Sequence, residues 1–395
     1  MKVLYISSLV SDGLFEEFIA KSQTKGYVGQ KYHGMFVRGL VGNLEKKDVL
    51  VLSHPPISKS FCRFKDEEDG VRYRYVPLFN IPIVKQIISF VYCFFYALYW
   101  GFRNIGKEKV IICSIMRIYQ YIPIRLASLF YSCKTVTVAC DVPWMTTVQV
   151  LGASSKLSPK VRLSIWLSKK LCSSFDLYVL LTESMSSVLN PRNKPYIVVE
   201  GFCDINMNKS VNSLSGKDKK DVVIYAGGLN KEYGIMQLVE AVKSIKNENI
   251  ELWLYGTGNL SKQLLAESDK RIKYWGARSN LEVVEAEIKA MLLINPRPTS
   301  GEYTKYSFPS KTMEYMVSGT YTLTTKLSGI PDEYFDYCGC IDSSTSEDIA
   351  RAIDNALNLG REELHARGLR AKRFVLSEKN NMIQIQKVVS FIKQH

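Results

Sequence analysis

The chain of 395 residues has room for two ordinary domains, each with its own core. With 46% apolar and 23% charged residues it is globular and not disordered. The net charge of +14 sits in the first half: residues 1–204 carry 26 Lys and Arg against 15 Asp and Glu, and the remainder 26 against 23. An acidic partner is therefore expected to meet that half. Nine cysteines without a C-x-x-C pair, beside four histidines, argue against a structural zinc site and fit free thiols in a reducing cytosol.

The opening segment, MKVLYISSLV, has one lysine and no small-residue cleavage pattern, so it reads as a first strand of a cytoplasmic protein and not as a signal peptide. Apolar runs at 3–7, 49–53, 110–113, 135–139 and 177–181 read as strands alternating with helices, the pattern of a parallel sheet. His33, in the segment 30–34, reads as a surface histidine near the carboxyl end of the first strand. The uncharged stretch 86–102, with seven large aromatics between Phe90 and Trp100, lies at the lower edge of membrane-spanning length. It reads as a helix packed in or against the first domain, since a span there would split that domain. The turn Ala139-Cys140-Asp141-Val142-Pro143 offers Asp141 either as a catalytic carboxylate or as a turn former. In 156–172, Lys156, Lys160, Arg162, Lys169 and Lys170 interleave with apolar residues, a basic amphipathic helix suited to an anionic membrane surface or a plain helix with a solvated basic face. Nucleic acid fits less well, because the aromatics cluster on an apolar stretch and are not spread along a basic groove.

After Glu200-Gly201 the polar stretch 205–220 reads as an interdomain linker. A second strand series follows at 222–226, 251–255, 272–275, 291–294 and 321–324, with helices at 235–245 and 281–289 between them. Gly227 and Gly228 follow its first strand and allow close approach of a phosphate, with Lys231 just beyond. Gly256-Thr257-Gly258 follows the second strand, and Arg297 the fourth. Phe308-Pro309-Ser310-Lys311 then opens a helix carrying Glu314 and stopped by Gly319, and Ser328-Gly329-Ile330-Pro331 turns after the next strand. Lys311 and Glu314 share one helix face, and the free N–H groups near Ser310 favour an anion.

In order and spacing, these residues resemble the donor-sugar signature of the glycosyltransferase family 4 group of GT-B enzymes. The resemblance implies an α/β fold of two doubly wound, Rossmann-like domains facing a central cleft. An acceptor domain would span 1–204 and a donor domain 221–379, with a last helix at about 380–394 packing back onto the first domain. It implies that Glu314 grips the ribose hydroxyls and that Phe308, Pro309, Ser310 and Lys311 line the diphosphate. The family's usual phosphate-binding Arg and Lys positions hold Gly228 and Tyr233 here, which leaves Lys231 and Arg297 as the substitutes. Gly256 falls on the family's G-x-G turn. The family's sugar-contacting Glu is replaced by Tyr306, with Glu302 the nearest carboxylate, and its His-Asp pair by Cys140 and Asp141. The implied activity is retaining transfer of a hexose from a nucleotide-sugar to a hydroxyl acceptor, with no cofactor and, in the absence of a D-x-D motif, no metal. The implied acceptor is a polyprenyl-diphosphate-linked glycan in bacterial surface-polysaccharide assembly, at the inner face of the cytoplasmic membrane. A sugar-nucleotide 2-epimerase of the same fold is the alternative, and a basic nucleic-acid-binding protein a distant third.

Overall fold

The computed structural model describes residues 1–22, 29–57, 59–81, 83–114, 118–145, 158–209, 211–299 and 301–395. The chain divides into two compact units, one of residues 1–199 with 381–395 and one of residues 200–380.

The first unit is built on β1 (Lys2–Ser7), α1 (Asp12–Ala20), α2 (Gly29–Asn43), β2 (Val49–Ser53), β3 (Lys65–Glu68), β4 (Val71–Tyr75), α3 (Val84–Arg103), β5 (Lys109–Ser114), α4 (Ile118–Leu129), β6 (Lys134–Ala139), α5 (Pro159–Cys172), β7 (Leu177–Leu180), α6 (Ser184–Leu189) and β8 (Tyr196–Val198). Its eight strands lie in the order β3-β4-β2-β1-β5-β6-β7-β8. All neighbours are parallel except β3 and β4, which pair antiparallel. The central strands are covered on both faces, which is why they read as unbroken apolar runs. The sequence KDEE of β3 carries no such signal; its charges blunt the sheet edge.

On one face of this sheet α2 meets the last helix of the chain, Asn381–Gln394. Gly39 makes the approach possible, since a Cβ there would lie 2.6 Å from the Asn381 carbonyl oxygen. Asn43 Nδ2 donates to the Met382 carbonyl at 2.9 Å and Asn381 Nδ2 to that of Met35 at 3.2 Å. His33, expected at the surface, is buried instead, with Nδ1 2.6 Å from the Tyr5 hydroxyl. Burial lowers its pKa to about 4. The sheet's other face carries α3, α4 and α5 in succession. Among the described residues no helix is long and apolar enough to cross a membrane. The aromatic stretch is α3, which buries Cys93, Ala97 and Trp100 and exposes Ile87, Phe95, Tyr99 and Phe102. Helix α5 starts at its cap, Ser158, whose hydroxyl accepts from the Val161 N–H at 3.4 Å; Lys156 lies outside the described residues.

The second unit comprises β9 (Asp221–Ala226), α7 (Ile235–Ser244), β10 (Ile250–Tyr255), α8 (Ser261–Leu265), β11 (Ile272–Gly276), α9 (Asn280–Lys289), β12 (Leu292–Asn295), α10 (Ser310–Ser318), β13 (Tyr321–Thr325), β14 (Gly339–Ile341), α11 (Ser346–Leu357) and α12 (Arg361–Glu378). Its sheet is wholly parallel, in the order β11-β10-β9-β12-β13-β14. The expected linker 205–220 is corrected: it belongs to this unit. Asn212 is buried and donates to the Ser318 carbonyl at 2.9 Å. Lys217 Nζ donates at 2.8 Å to the carbonyls of both Ile288 and Ala290. The polar composition of the segment satisfies buried carbonyls, so it does not mark a free tether. Where the chain enters and leaves this unit, Lys379 Nζ pairs with Glu200 at 2.7 Å and Glu333 at 2.6 Å, and the Tyr334 hydroxyl donates to Glu200 at 2.9 Å.

Candidate active site

The strand order of the second unit reverses between β9 and β12: the chain winds outward through β10 and β11, then returns to β12 and winds the other way. The carboxyl ends flanking such a switch point form the crevice where doubly wound sheets take ligands. Gly227 and Gly228 follow β9 and Arg297 follows β12, so both lie at this point.

Backbone interlocking shapes the turn after β9. Gly227 N–H donates to the Tyr255 carbonyl at 3.0 Å and Leu229 N–H to that of Thr257 at 2.9 Å. Gly256 has φ +123°, and a Cβ on it would lie 1.9 Å from the Gly227 carbonyl oxygen. Its glycine is explained by this contact: Gly256 packs directly against the turn after β9. Gly228 instead faces side chains, Tyr233 being 3.0 Å from its virtual Cβ, and the Tyr225 hydroxyl donates to its carbonyl at 3.0 Å. Lys231 is exposed; its N–H donates to Asn259 Oδ1 at 3.1 Å and its carbonyl accepts from the Gly234 N–H at 3.3 Å.

Arg297 stacks on Tyr233, its guanidinium carbon 5.0 Å from the ring centre. Its carbonyl accepts from the Thr325 hydroxyl at 2.6 Å, which fixes the backbone. Among the described residues no carboxylate pairs with it, and its buried Nε has no hydrogen-bond partner. Its charge also eases the burial that pushes the Tyr225 pKa up to about 12. Sequence reasoning named Arg297 but missed Tyr233 as its platform.

Helix α10 is held against β9 and β12. The Tyr315 hydroxyl accepts from the Ala226 N–H at 2.8 Å and lies 3.2 Å from the Ala226 carbonyl, while Asn295 Nδ2 reaches Thr312 at 3.3 Å and Thr324 at 3.4 Å. These anchors bring the start of α10 to the carboxyl end of the sheet. Ser310 is exposed at its first position. Lys311 and Glu314 share a face as expected and pair at 2.9 Å, both partly exposed. Phe308 is 8% exposed and its ring packs 5.3 Å from the Tyr334 ring, so its side chain belongs to the core. Pro309 is buried beside it and caps the helix by backbone geometry alone. Tyr306 is half-buried in the turn Glu302–Tyr306; the Glu302 side chain lies outside the described residues. That loop lies against the turn after β13, where a Cβ on Gly329 would be 2.2 Å from the Ser307 carbonyl. Asp141 belongs to the first unit, exposed just past the carboxyl end of β6. The surrounding protein raises its pKa although the side chain itself reaches solvent.

Two doubly wound parallel sheets with a phosphate-suited switch point define the GT-B fold class, and the solved structures agree. HepE from Anabaena, in complex with UDP, matches with a TM-score of 0.63 at 13% identity over 100% of both chains. The sucrose-phosphate synthase from Thermosynechococcus elongatus matches at 0.70 and 13%, covering 100% of this chain and 99% of the other. A glycosyltransferase from Rickettsia africae matches at 0.63 and 12%, covering 100% and 98%. No curated protein matches the sequence. Residues 220–358, within the second unit, match the family model described as glycosyl transferases group 1.

Proposed function

We propose that the protein is a hexosyltransferase that moves a sugar from a nucleoside-diphosphate donor to a hydroxyl acceptor. The observation that carries this reading is Arg297: a guanidinium with no carboxylate partner among the described residues, braced on Tyr233 at the switch point, inside the segment matched by the glycosyl transferases group 1 model. A nucleoside diphosphate is a competent leaving group, so the main task is to hold the negative charge that grows on it as the glycosidic bond breaks. Arg297 and the N–H groups at the start of α10 supply that hold, with Lys231 and Lys311 adding charge. Glu314 takes the ribose hydroxyls, and binding reorganises its pair with Lys311. Tyr306, Glu302 and Asp141 are assigned to the sugar and acceptor side.

A uridine diphosphate sugar is the first donor to try, because HepE has been solved with UDP-glucose. Retention and independence of metal and cofactor follow from the family resemblance. For the acceptor we take a polyprenyl-diphosphate-linked glycan of surface-polysaccharide assembly, met at the cytoplasmic face of the membrane. Exposed Leu163 and Trp166 beside Lys160, Arg162, Lys169 and Lys170 on α5 support a peripheral approach to anionic lipid.

The test is a thermal-shift screen with UDP-, GDP-, ADP- and dTDP-sugars, since a ligand of the native state raises the melting temperature, followed by product analysis with lipid-linked acceptors. One nucleotide class should stabilise the protein, and nucleoside diphosphate should be released only with acceptor present. Silence to every nucleotide would refute the reading, and release of an altered free sugar without acceptor would make it an epimerase.

A further inference from the structure

The first unit holds a groove that the proposed reaction does not use. It has a volume of about 760 Å³ and lies between α3 and the β3–β4 edge, reaching Lys2 and Asp48 at the amino-terminal side of β1 and β2. Ligands of doubly wound sheets bind at the opposite, carboxyl ends. Seven cationic and three acidic residues line it, so its field is positive. Lys2 and Lys47 are spent on Asp48 and Glu45. No ion pair among the described residues occupies Lys65, Arg72, Arg74, Arg103 or Lys107. Arg72 and Arg74, two apart on β4, project from one face of the sheet. Arg72 spends one N–H on the Lys47 carbonyl, and its buried Nε has no partner. Arg74 lies close enough to the Tyr96 hydroxyl to oppose the upward pull of burial on its pKa, and Tyr96 stacks on Tyr92 at 5.9 Å, which steadies the helix side of the groove.

A second observation adjoins the first. Along α3, Ile87, Val91, Phe95, Tyr99 and Phe102 form one stripe at helical spacing, and Phe95 and Phe102 are 63% and 62% exposed. Tyr99 belongs to both stripe and groove. Trp166 and Leu163 on α5 and Leu129 and Phe130 at the end of α4 extend the exposed apolar surface over the same layer of helices. Cationic groove and apolar stripe, side by side, match the two parts of one ligand: a phosphate head and the acyl region beneath it.

We propose that this groove binds the phosphate-bearing headgroup of an anionic membrane lipid while the α3 stripe enters the adjoining apolar layer. This rests on the membrane approach given under the proposed function, but it moves the specific contact from α5 to α3 and β4. The experiment uses the full chain with vesicles of phosphatidylcholine alone or mixed with phosphatidylglycerol. Wild type should sediment with the mixed vesicles at least about tenfold more tightly than with neutral ones. Arg74→Gln/Arg103→Gln should lose most of that preference, and Phe95→Ser/Phe102→Ser should weaken binding at every salt concentration. Arg103→Gln/Lys107→Gln, confined to exposed positions, serves if the first pair alters the melting temperature. If reversing Lys160, Arg162, Lys169 and Lys170 abolishes binding while the groove variants bind as wild type, the membrane reading stands and the groove proposal fails. Wild type that ignores both vesicles refutes both. In that case a thermal shift with glycerol 1-phosphate, lost in the groove variants, would reassign the groove to a soluble phosphate.

Discussion

Arg297 lies face-on to Tyr233, 5.0 Å from its ring centre, although 63 residues separate them between the ends of β12 and β9. The stack sets the guanidinium beside the Gly227-Gly228 turn without taking up its N–H groups. Arg297→Gln should therefore weaken nucleoside diphosphate binding by roughly 10- to 100-fold, the worth of a charge-assisted hydrogen bond of about 1.5–3 kcal/mol. Binding of the bare nucleoside should change little, as should the melting temperature. Isothermal titration of both ligands checks this; parallel losses for the two would remove Arg297 from the phosphate site.

Glu314→Gln tests the ribose contact and the Lys311 pair together. The fold should survive, because both side chains are partly exposed. Donor KM should rise by about tenfold or more, and a 2′-deoxyribose donor should lose its disadvantage in the variant. Equal discrimination in both proteins would contradict the role given to Glu314.

The two glycine turns are expected to separate folding from binding. Gly256→Ala forces a Cβ onto the Gly227 carbonyl at a φ of +123°. Strain and overpacking together should cost about 3 kcal/mol or more. Gly228→Ala meets side chains and not backbone, the Tyr233 ring at 3.0 Å and Asn230 Nδ2 at 3.5 Å, so its melting temperature should stay close to wild type while diphosphate affinity falls. Urea unfolding alongside UDP titration distinguishes the two cases.

Lys379→Met would leave Glu200, whose side chain is 7% exposed, with the Tyr334 hydroxyl but without its cation. Losing one partner of a buried pair costs about 3–5 kcal/mol. The double variant Lys379→Met/Glu200→Gln should recover a large part of that loss, and a double-mutant cycle by chemical denaturation measures the coupling.

His33 gives a pH dependence. Its unfolded pKa is near 6.5 and burial holds the folded one at about 4. Between these values the unfolded chain binds a proton that the folded one refuses, so stability falls as pH drops through that window. From pH 7.5 to 5 the loss from this residue should reach roughly 2 kcal/mol. Replacing it by Gln should flatten that part of the urea-midpoint profile relative to wild type.

The buried parallel strands were legible in the sequence because both their faces are covered, as in β5 and β12, which leaves unbroken apolar runs. Edge strand β3 was not, since its place is set by backbone pairing to β4 and its side chains are charged. In the site, Lys311 and Glu314 were legible because helical spacing alone puts them on one face. The core packing of Phe308 and the close approach of Gly256 to Gly227 were not legible, since a motif records which residues recur but not what each touches. The Arg297–Tyr233 stack depends on two strand ends meeting across the sheet, which no local pattern encodes. The polar run 205–220 misled for a related reason, since Asn212 and Lys217 are polar in order to meet buried carbonyls.

The unit of residues 200–380 is one unbroken segment, whereas its companion needs residues 381–395 to cover α2. During synthesis the two therefore finish in the reverse of their order along the chain. The segment begun second emerges whole and closes first. The segment begun first waits with Gly39 and Gly42 uncovered until the final helix leaves the ribosome. A stall late in translation would thus leave a finished second unit beside a first unit with an exposed helix face, the form of the chain most in need of a chaperone.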